Sequence, residues 1–287
     1  MPLVAVVCTQ LILAGCVAGN RDKSVVLPTK YVAFSTDKEA YFMPRDFEHF
    51  QGEYTCQLVS VCQKYHVPFT WLVVVDKEHE EVHRVAEELF PEREDTDEFS
   101  LHAHFKWFIM DGPDDFESFR KLDRRMRWLS DAKAEIEQAG LPMPRTFRYG
   151  SGDSSDSLYY LEDLITLSDD FGIRNFLLSP DHLQGVIGIT RCEHKGNNVW
   201  IIDGNREITL LSTCVYLDKD EQTVLAAIDQ RLKSSDYAII GSHDYREAVP
   251  ERMAKAIEHL RTNYNTEFVT IDRIGEMVRG GKINNLW

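Results

Sequence analysis

From residue 31 onward, stretches of strand character alternate with stretches of helical period, and this alternation restricts the chain to folds built on a parallel sheet. Residues 31–36 (YVAFST), 146–149, 173–178, 237–241 and 267–271 have the β-branched and aromatic composition of strands. Residues 68–75 (PFTWLVVV) are almost continuously apolar, as a strand buried on both faces should be. Between them, residues 46–65 carry Phe47, Phe50, Tyr54, Leu58, Val61 and Cys62 at roughly helical spacing, and helix returns at 78–90. Residues 114–139 form a long charged helix with Phe116, Phe119, Leu122, Met126, Leu129 and Ile136 as its apolar stripe, stopped by Gly140. Further helices are expected at 158–171, 221–233 and 251–264, and a last one capped by Asp272 that ends near Gly280. Parallel neighbours need crossover connections, which these helices supply. Only residues 185–213 break the pattern, with Asn197-Asn198 and Asp203-Gly204 marking the turns of hairpins. The expectation is a single α/β domain over residues 25–287, closed or nearly closed into a barrel, with no linker, repeat or low-complexity tract dividing it.

Before that domain, residues 3–19 are apolar but short for a membrane span. They end in Leu13-Ala14-Gly15-Cys16, which resembles the bacterial lipoprotein signal box, although no Lys or Arg precedes the run. Residues 1–24 are therefore expected to be a signal or lipoprotein-type segment. It would place the protein in the cell envelope or periplasm, touching a membrane only through a lipid on Cys16. The other readings of the segment are a buried N-terminal strand or helix, or a start codon called too late, and the protein would otherwise be cytoplasmic. A formal charge of -15, with no basic stripe, argues against a nucleic-acid partner. The six cysteines show neither zinc-type pairing nor a disulfide framework; Cys56 and Cys62 are expected on one helix, as packing residues.

The chemistry begins with His102 and His104 in the run EFSLHAHFKWF at 98–108. Side chains two apart on a strand share a face. Two imidazoles converging from one side can hold a divalent metal about 2 Å from each nitrogen. In parallel α/β folds functional groups gather at the carboxyl ends of strands. That rule selects Asp37 and Glu39 after the first strand, Arg148 at the end of the fourth, Ser179 and Asp181 after the fifth, and His243-Asp244 after the strand at 237–241.

Set out in this order, the residues resemble the polysaccharide deacetylase family, the NodB-like metal-dependent carbohydrate esterases, in a divergent branch. Ser35–Glu39 (STDKE) resembles an Asp-x-Glu form of the first motif, and Leu101–Trp107 (LHAHFKW) is similar to a Leu-His-x-His-Pro-x-Trp second motif. Thr146–Ser155 resembles the Phe-Arg-x-Gly third motif, Ser179–His182 in part the fourth, and Ile240–His243 the closing Leu-x-x-His. The resemblance spans about residues 30–275. It implies a distorted (β/α) barrel of about seven strands and one divalent metal, commonly zinc, used to deacetylate a saccharide. It further implies Glu39, His102 and His104 as metal ligands and Asp37 as general base, although the residues alone leave the two carboxylates interchangeable. Arg148 would orient that base and keep it ionised, and His243 would protonate the leaving amine. Trp107, Tyr149, Asp181 and Ile240 would line the substrate.

Lys38 stands where the common first motif has its second aspartate, and an ammonium beside a cation site is expected to repel the cation. This motivates a second reading, a barrel without catalysis that binds carbohydrate through aromatics such as Trp107, Phe108 and Tyr149. Phosphoester hydrolysis has less support, because no Gly-rich phosphate cradle or basic pair stands at the rim.

Overall fold

An 11-stranded sheet carries the fold in the computed structural model, which describes residues 27–39, 53–75, 81–103, 122–150, 161–178 and 192–284. The chain runs β1 (Lys30–Lys38), α1 (Glu53–Tyr65), β2 (Phe69–Val74), then α2, a helical stretch made of Glu81–Arg84, a π-helical turn Val85–Leu89 and Phe90–Arg93. It continues through β3 (Glu98–Ala103), α3 (Leu122–Ala139), β4 (Thr146–Tyr149), α4 (Leu161–Asp170) and β5 (Asn175–Leu178). The hairpin strands β6 (Cys192–Gly196), β7 (Val199–Ile202) and β8 (Arg206–Ser212) follow. Last come β9 (Val215–Tyr216), α5 (Glu221–Ser234), β10 (Tyr237–Gly241), α6 (Val249–Asn263), β11 (Thr266–Phe268) and α7 (Ile271–Arg279).

The strand order is β6-β7-β8-β5-β4-β3-β2-β1-β10-β9, with β11 also beside β1. Every pairing from β8 through to β9 is parallel, as the alternation of helix and strand demands; β6, β7 and β8 are antiparallel. The hairpin turns fall at the expected residues. Asn197, Asn198 and Asp203 adopt positive φ near 50°, a conformation Asn and Asp tolerate better than most side chains.

Alternation along the strands separates two apolar layers. Val32 and Phe34 of β1, Trp71 and Val73 of β2, Leu101 of β3, Phe147 of β4 and Ile240 of β10 face the helices α1, α3 and α6 in the larger core. Ala33, Leu72, Leu177, Leu211 and Ile239 face the other way, onto Ile271, Ile274, Met277 and Val278 of α7. Helix α7 therefore lies inside the curve of the sheet. Its start is tied to β2 by Ile271 N donating to Thr70 Oγ1 at 3.1 Å, and to β3 by Asp272 N donating to Glu98 Oε2 at 2.9 Å. Its end reaches β8 through Arg279 Nη1 and Thr209 Oγ1 at 2.8 Å. One helix can touch strands so far apart in the ladder only if the sheet wraps around it. Among the described residues, however, the hydrogen-bonded ladder does not close between β8 and β9.

Two expectations need correction. Thr270, not Asp272, caps the last helix: its hydroxyl accepts from Arg273 N, while the Asp272 carboxylate accepts from Asn175 Nδ2 at 2.9 Å. Strand β11 ends at Phe268, so the extended residue that precedes the first helical turn is Thr270. Cys56 and Cys62 do share α1, but only Cys62 is a packing residue, with burial pushing its thiol up to about 12; Cys56 is exposed. No described helix is long and apolar enough to cross a membrane, and Cys16 lies outside the described residues.

Gly275 marks the closest approach of α7 to the sheet. A Cβ built there would stand 1.8 Å from Asn175 Oδ1, the atom that accepts from Arg279 Nη1 at 2.6 Å. Gly275→Ala is expected to destabilise the protein by about 1–3 kcal/mol, the usual range for overpacking, read as a lower urea midpoint. An unmoved midpoint would mean that α7 is not seated on β5 in solution.

Candidate active site

The end of β1 sets the site. Asp37 and Glu39 project to the inner face and are nearly fully buried, whereas Lys38 between them projects to the outer, helix-facing side. The Lys38 ammonium meets Glu81 Oε1 at 2.7 Å and Asp244 Oδ2 at 2.8 Å. Burial alone would lower the lysine's pKa, but the two carboxylates outweigh it and hold the group above the ordinary lysine range. The expected repulsion of a cation by Lys38 is thus corrected. Its charge is neutralised on the far side of the strand, and Asp244 also accepts from Glu39 N at 3.0 Å and from Thr55 Oγ1 at 2.9 Å.

His102 lies on β3 in register with Arg148 on β4 and is fully buried. Its Nδ1 is 3.1 Å from the backbone oxygen of Arg148. A carbonyl only accepts, so Nδ1 carries a hydrogen and Nε2 is the atom turned inward, 2.7 Å from Glu39 Oε1. An imidazole nitrogen facing a carboxylate oxygen needs a shared cation, either a proton or a metal. One ligand atom each from Asp37, Glu39 and His102 lie within 4.8 Å of one another, the spacing of groups able to hold one ion.

Asp37 sits between two cationic groups. Arg148 Nη1 is 3.5 Å from its Oδ1 and His243 Nε2 is 3.6 Å from its Oδ2. An isolated parallel bridge between Asp37 and His243, with Asp37 N donating to the Ser242 carbonyl at 2.9 Å, fixes these two positions side by side. His243 Nδ1 in turn donates to Asp218 Oδ2 at 2.5 Å, and Asp218 Oδ1 accepts from His243 N at 3.3 Å. Burial opposes charging of His243, but the bond to Asp218 and the fields of Asp37, Asp218 and Glu39 raise its pKa to about 8. These carboxylates favour the charged imidazole, whose Nε2 faces Asp37.

The structure thus brings together Asp37, Glu39, His102, Arg148 and His243, which come from β1, β3, β4 and the turn after β10. It does not bring Ile240 to them: that side chain is fully buried in the helix-facing core, because it lies on the face of β10 opposite Gly241. His104, Trp107 and Asp181 lie outside the described residues, as do Ser179 and Phe108, and of Tyr149 only the backbone is described. Sequence reasoning missed Asp218 and Tyr216. Strand β9 is two residues long, too short to show a period, and Asp218 is masked by its neighbour Asp220, which caps α5.

Comparison of the whole structure gives the fold its counterpart. A protein from Mycobacterium smegmatis provisionally designated a polysaccharide deacetylase superposes with a TM-score of 0.58 at 13% identity, over 89% of this chain and 92% of that one. The chain has the polysaccharide deacetylase fold. Weaker likenesses include a family 4 acetyl xylan esterase from Clostridium thermocellum in complex with cobalt (TM-score 0.48, 17% identity, 88% and 92% covered). A family 4 carbohydrate esterase from Streptomyces lividans in complex with acetate is another (TM-score 0.49, 10% identity, 87% and 96% covered). No family model and no curated protein matches the sequence. The α/β class expected from the sequence is the one observed, a curved, mainly parallel sheet packed on α7 rather than a closed ladder of about seven strands among the described residues.

The Asp218 carboxylate raises the His243 pKa, so Asp218→Asn is expected to lower it from about 8 toward the ordinary 6.5, followed by NMR of the imidazole protons. The sign extends to stability. A raised folded-state pKa contributes stability present below about 6.5 and lost as pH rises past about 8, and the variant should lose that window. An unchanged titration in Asp218→Asn would show that the contact does not govern His243.

Proposed function

We propose that the protein is a metal-dependent hydrolase of the polysaccharide deacetylase type, removing an acetyl group from a saccharide. The observation that carries this reading is the placement of Asp37, Glu39 and His102 around one point, with Arg148 and the His243–Asp218 pair against Asp37, at a rim of the deacetylase fold. The donor set fits a divalent cation such as zinc. It offers an imidazole whose Nε2 is turned inward and a carboxylate against it, with the Asp37 carboxylate within 4.8 Å of both.

Glu39 and His102 would hold the metal, with His104 the expected further ligand. A bound divalent cation would supply Lewis acidity to the acyl carbonyl and acidify a water. The chain's own groups supply the proton transfers. Asp37 accepts a proton from the attacking water, and Arg148 holds its carboxylate in place from the opposite oxygen. As the water oxygen bonds to the acyl carbon and the C–N or C–O bond breaks, the Nε2 proton of His243 passes to the departing amine or alkoxide. Acetate and the deacylated sugar are the products. An imidazole with a pKa of about 8 suits this step, since it is charged before reaction and near neutral operating pH. Asp218 retains the hydrogen bond to Nδ1 throughout and stabilises the charged ring.

The saccharide class and a cell-envelope location follow the sequence reading, including the lipoprotein-like Cys16 segment. The alternative of a non-catalytic barrel drew its support from Lys38 entering the site, and Lys38 lies on the other face.

With zinc supplied, the protein is expected to release acetate from N-acetylated chito-oligosaccharides or acetylated xylan. Asp37→Asn should lower the rate by about 10²–10⁴-fold, the usual contribution of a general base, without loss of bound metal. Full activity in Asp37→Asn, or no acetate release from either substrate class by the wild type, would refute the assignment.

A further inference from the structure

The feature of the site that the proton transfers leave unused is Tyr216, the last residue of β9. Its ring lies nearly parallel to the His243 imidazole, with 5.3 Å between centroids and an interplanar angle of 18°. The Arg148 guanidinium carbon stands 4.7 Å over the same ring. Both groups that flank Asp37 therefore rest on one aromatic side chain. Arg148 belongs to β4 and Tyr216 to β9, with β3, β2, β1 and β10 between them in the ladder, so this contact crosses the interior of the curved sheet.

The ring has a prepared seat. A Cβ at Gly241 would lie 2.9 Å from Tyr216 Cε1, 3.2 Å from its Cδ1 and 3.0 Å from Thr213 Cγ2. Any side chain at 241 would displace the ring or its neighbour. The backbone beside it is fixed as well, with Leu217 N donating to the Gly241 carbonyl and Cys214 N to the Ile239 carbonyl, both at 2.8 Å. Arginine has many rotamers, so a single 3.5 Å contact to a carboxylate does not hold Arg148, and the His243 ring, bonded to Asp218 through Nδ1 alone, can still tilt about that bond. A rigid aromatic with only two side-chain torsions restricts both, and its electron-rich face favours cations.

We propose that Tyr216, seated on Gly241, is a positioning residue that sets Arg148 and His243 on the two oxygens of Asp37. This deepens the deacetylase reading and rests on it for its kinetic arm. The role lies in the ring: among the described residues the buried phenol oxygen has no hydrogen-bond partner.

The test compares Tyr216→Leu, Tyr216→Phe and Gly241→Ala with the wild-type chain, zinc-loaded, for acetate release. Tyr216→Leu and Gly241→Ala are expected to lower kcat by about 10-fold or more with KM changed by less than about 3-fold, the pattern of a misaligned reacting group. Tyr216→Phe should restore most of the rate that Tyr216→Leu loses. A second arm needs no turnover. The His243 ring protons, shifted by the stacked aromatic, should keep their NMR positions in Tyr216→Phe and move in Tyr216→Leu and Gly241→Ala. Should Tyr216→Leu fail to fold, Gly241→Ala carries the same prediction with the ring retained. Wild-type kcat and unmoved His243 signals in Tyr216→Leu or Gly241→Ala would overturn the proposal. So would a Tyr216→Phe variant as impaired as Tyr216→Leu, which would place the role in the hydroxyl. Absence of acetate release by the wild type would count against the deacetylase reading, and the His243 signals would still decide the role of Tyr216.

Discussion

A buried ammonium, Lys38, clamped between Glu81 and Asp244, fixes how β1 ends, and the site is built outward from that point. Withdrawing three charges from water is costly, several kcal/mol for each ion, and the loss is offset only by close, hydrogen-bonded pairing. Asp244 meets that condition with both oxygens in use, on Lys38, Thr55 and the Glu39 amide. One carboxylate thereby joins the end of β1, helix α1 and the turn after β10. Because Asp244 directly follows His243, the clamp on the outer face also settles where His243 stands on the inner face. The alternation of the strand then does the rest, turning Asp37 and Glu39 inward as Lys38 turns out.

On the inner face the charges are arranged as two neighbouring sub-sites that share β1. Glu39 and His102 oppose each other across a short contact suited to a cation. Asp37 is flanked instead by Arg148 and His243, so its negative charge is met from both sides and each oxygen has its own neighbour. Under the proposed function this division gives different tasks to two carboxylates only two residues apart. The identity of the nearest partner, a hydrogen-bonded imidazole in one case and two cationic groups in the other, makes the distinction. Beneath them, the Glu98 carboxylate accepts from Thr70, Ser100, Thr146 and the Asp272 amide, tying β2, β3 and β4 to the start of α7. The three strands and the helix inside the curved sheet are therefore held by one hydrogen-bonded group.

Much of this was legible in the sequence, for identifiable reasons. The parallel order followed from helices long enough to serve as crossovers, and the hairpin turns from Asn and Asp at positions that require positive φ. Asp37, Glu39, Arg148 and His243 could be placed at one rim because each ends or follows a strand with a clear composition. Lys38 was misjudged as a neighbour of the cation site, although the period of two that places Asp37 and Glu39 together also sends Lys38 away. What local pattern could not reveal were long-range partners: Asp244 against Lys38, 206 residues away along the chain, and Asp218 against His243, whose strand is too short to carry a period. Ile240 was selected by its place in a motif, and the pleat of β10 puts it in the core. Thr270 was passed over as a cap because the end of β11 falls earlier than its composition suggests.

The central claim is that Glu39 and His102, with Asp37 beside them, form a site for one divalent cation. Calorimetric titration of zinc into chelator-stripped protein tests it most directly, with wild type, Glu39→Ala and His102→Ala measured under one buffer. The account predicts one tight equivalent for the wild type and an affinity weakened by at least about 100-fold in each variant, as expected when a direct ligand is lost. Equal affinity in all three proteins, or no zinc bound by the wild type, would contradict it.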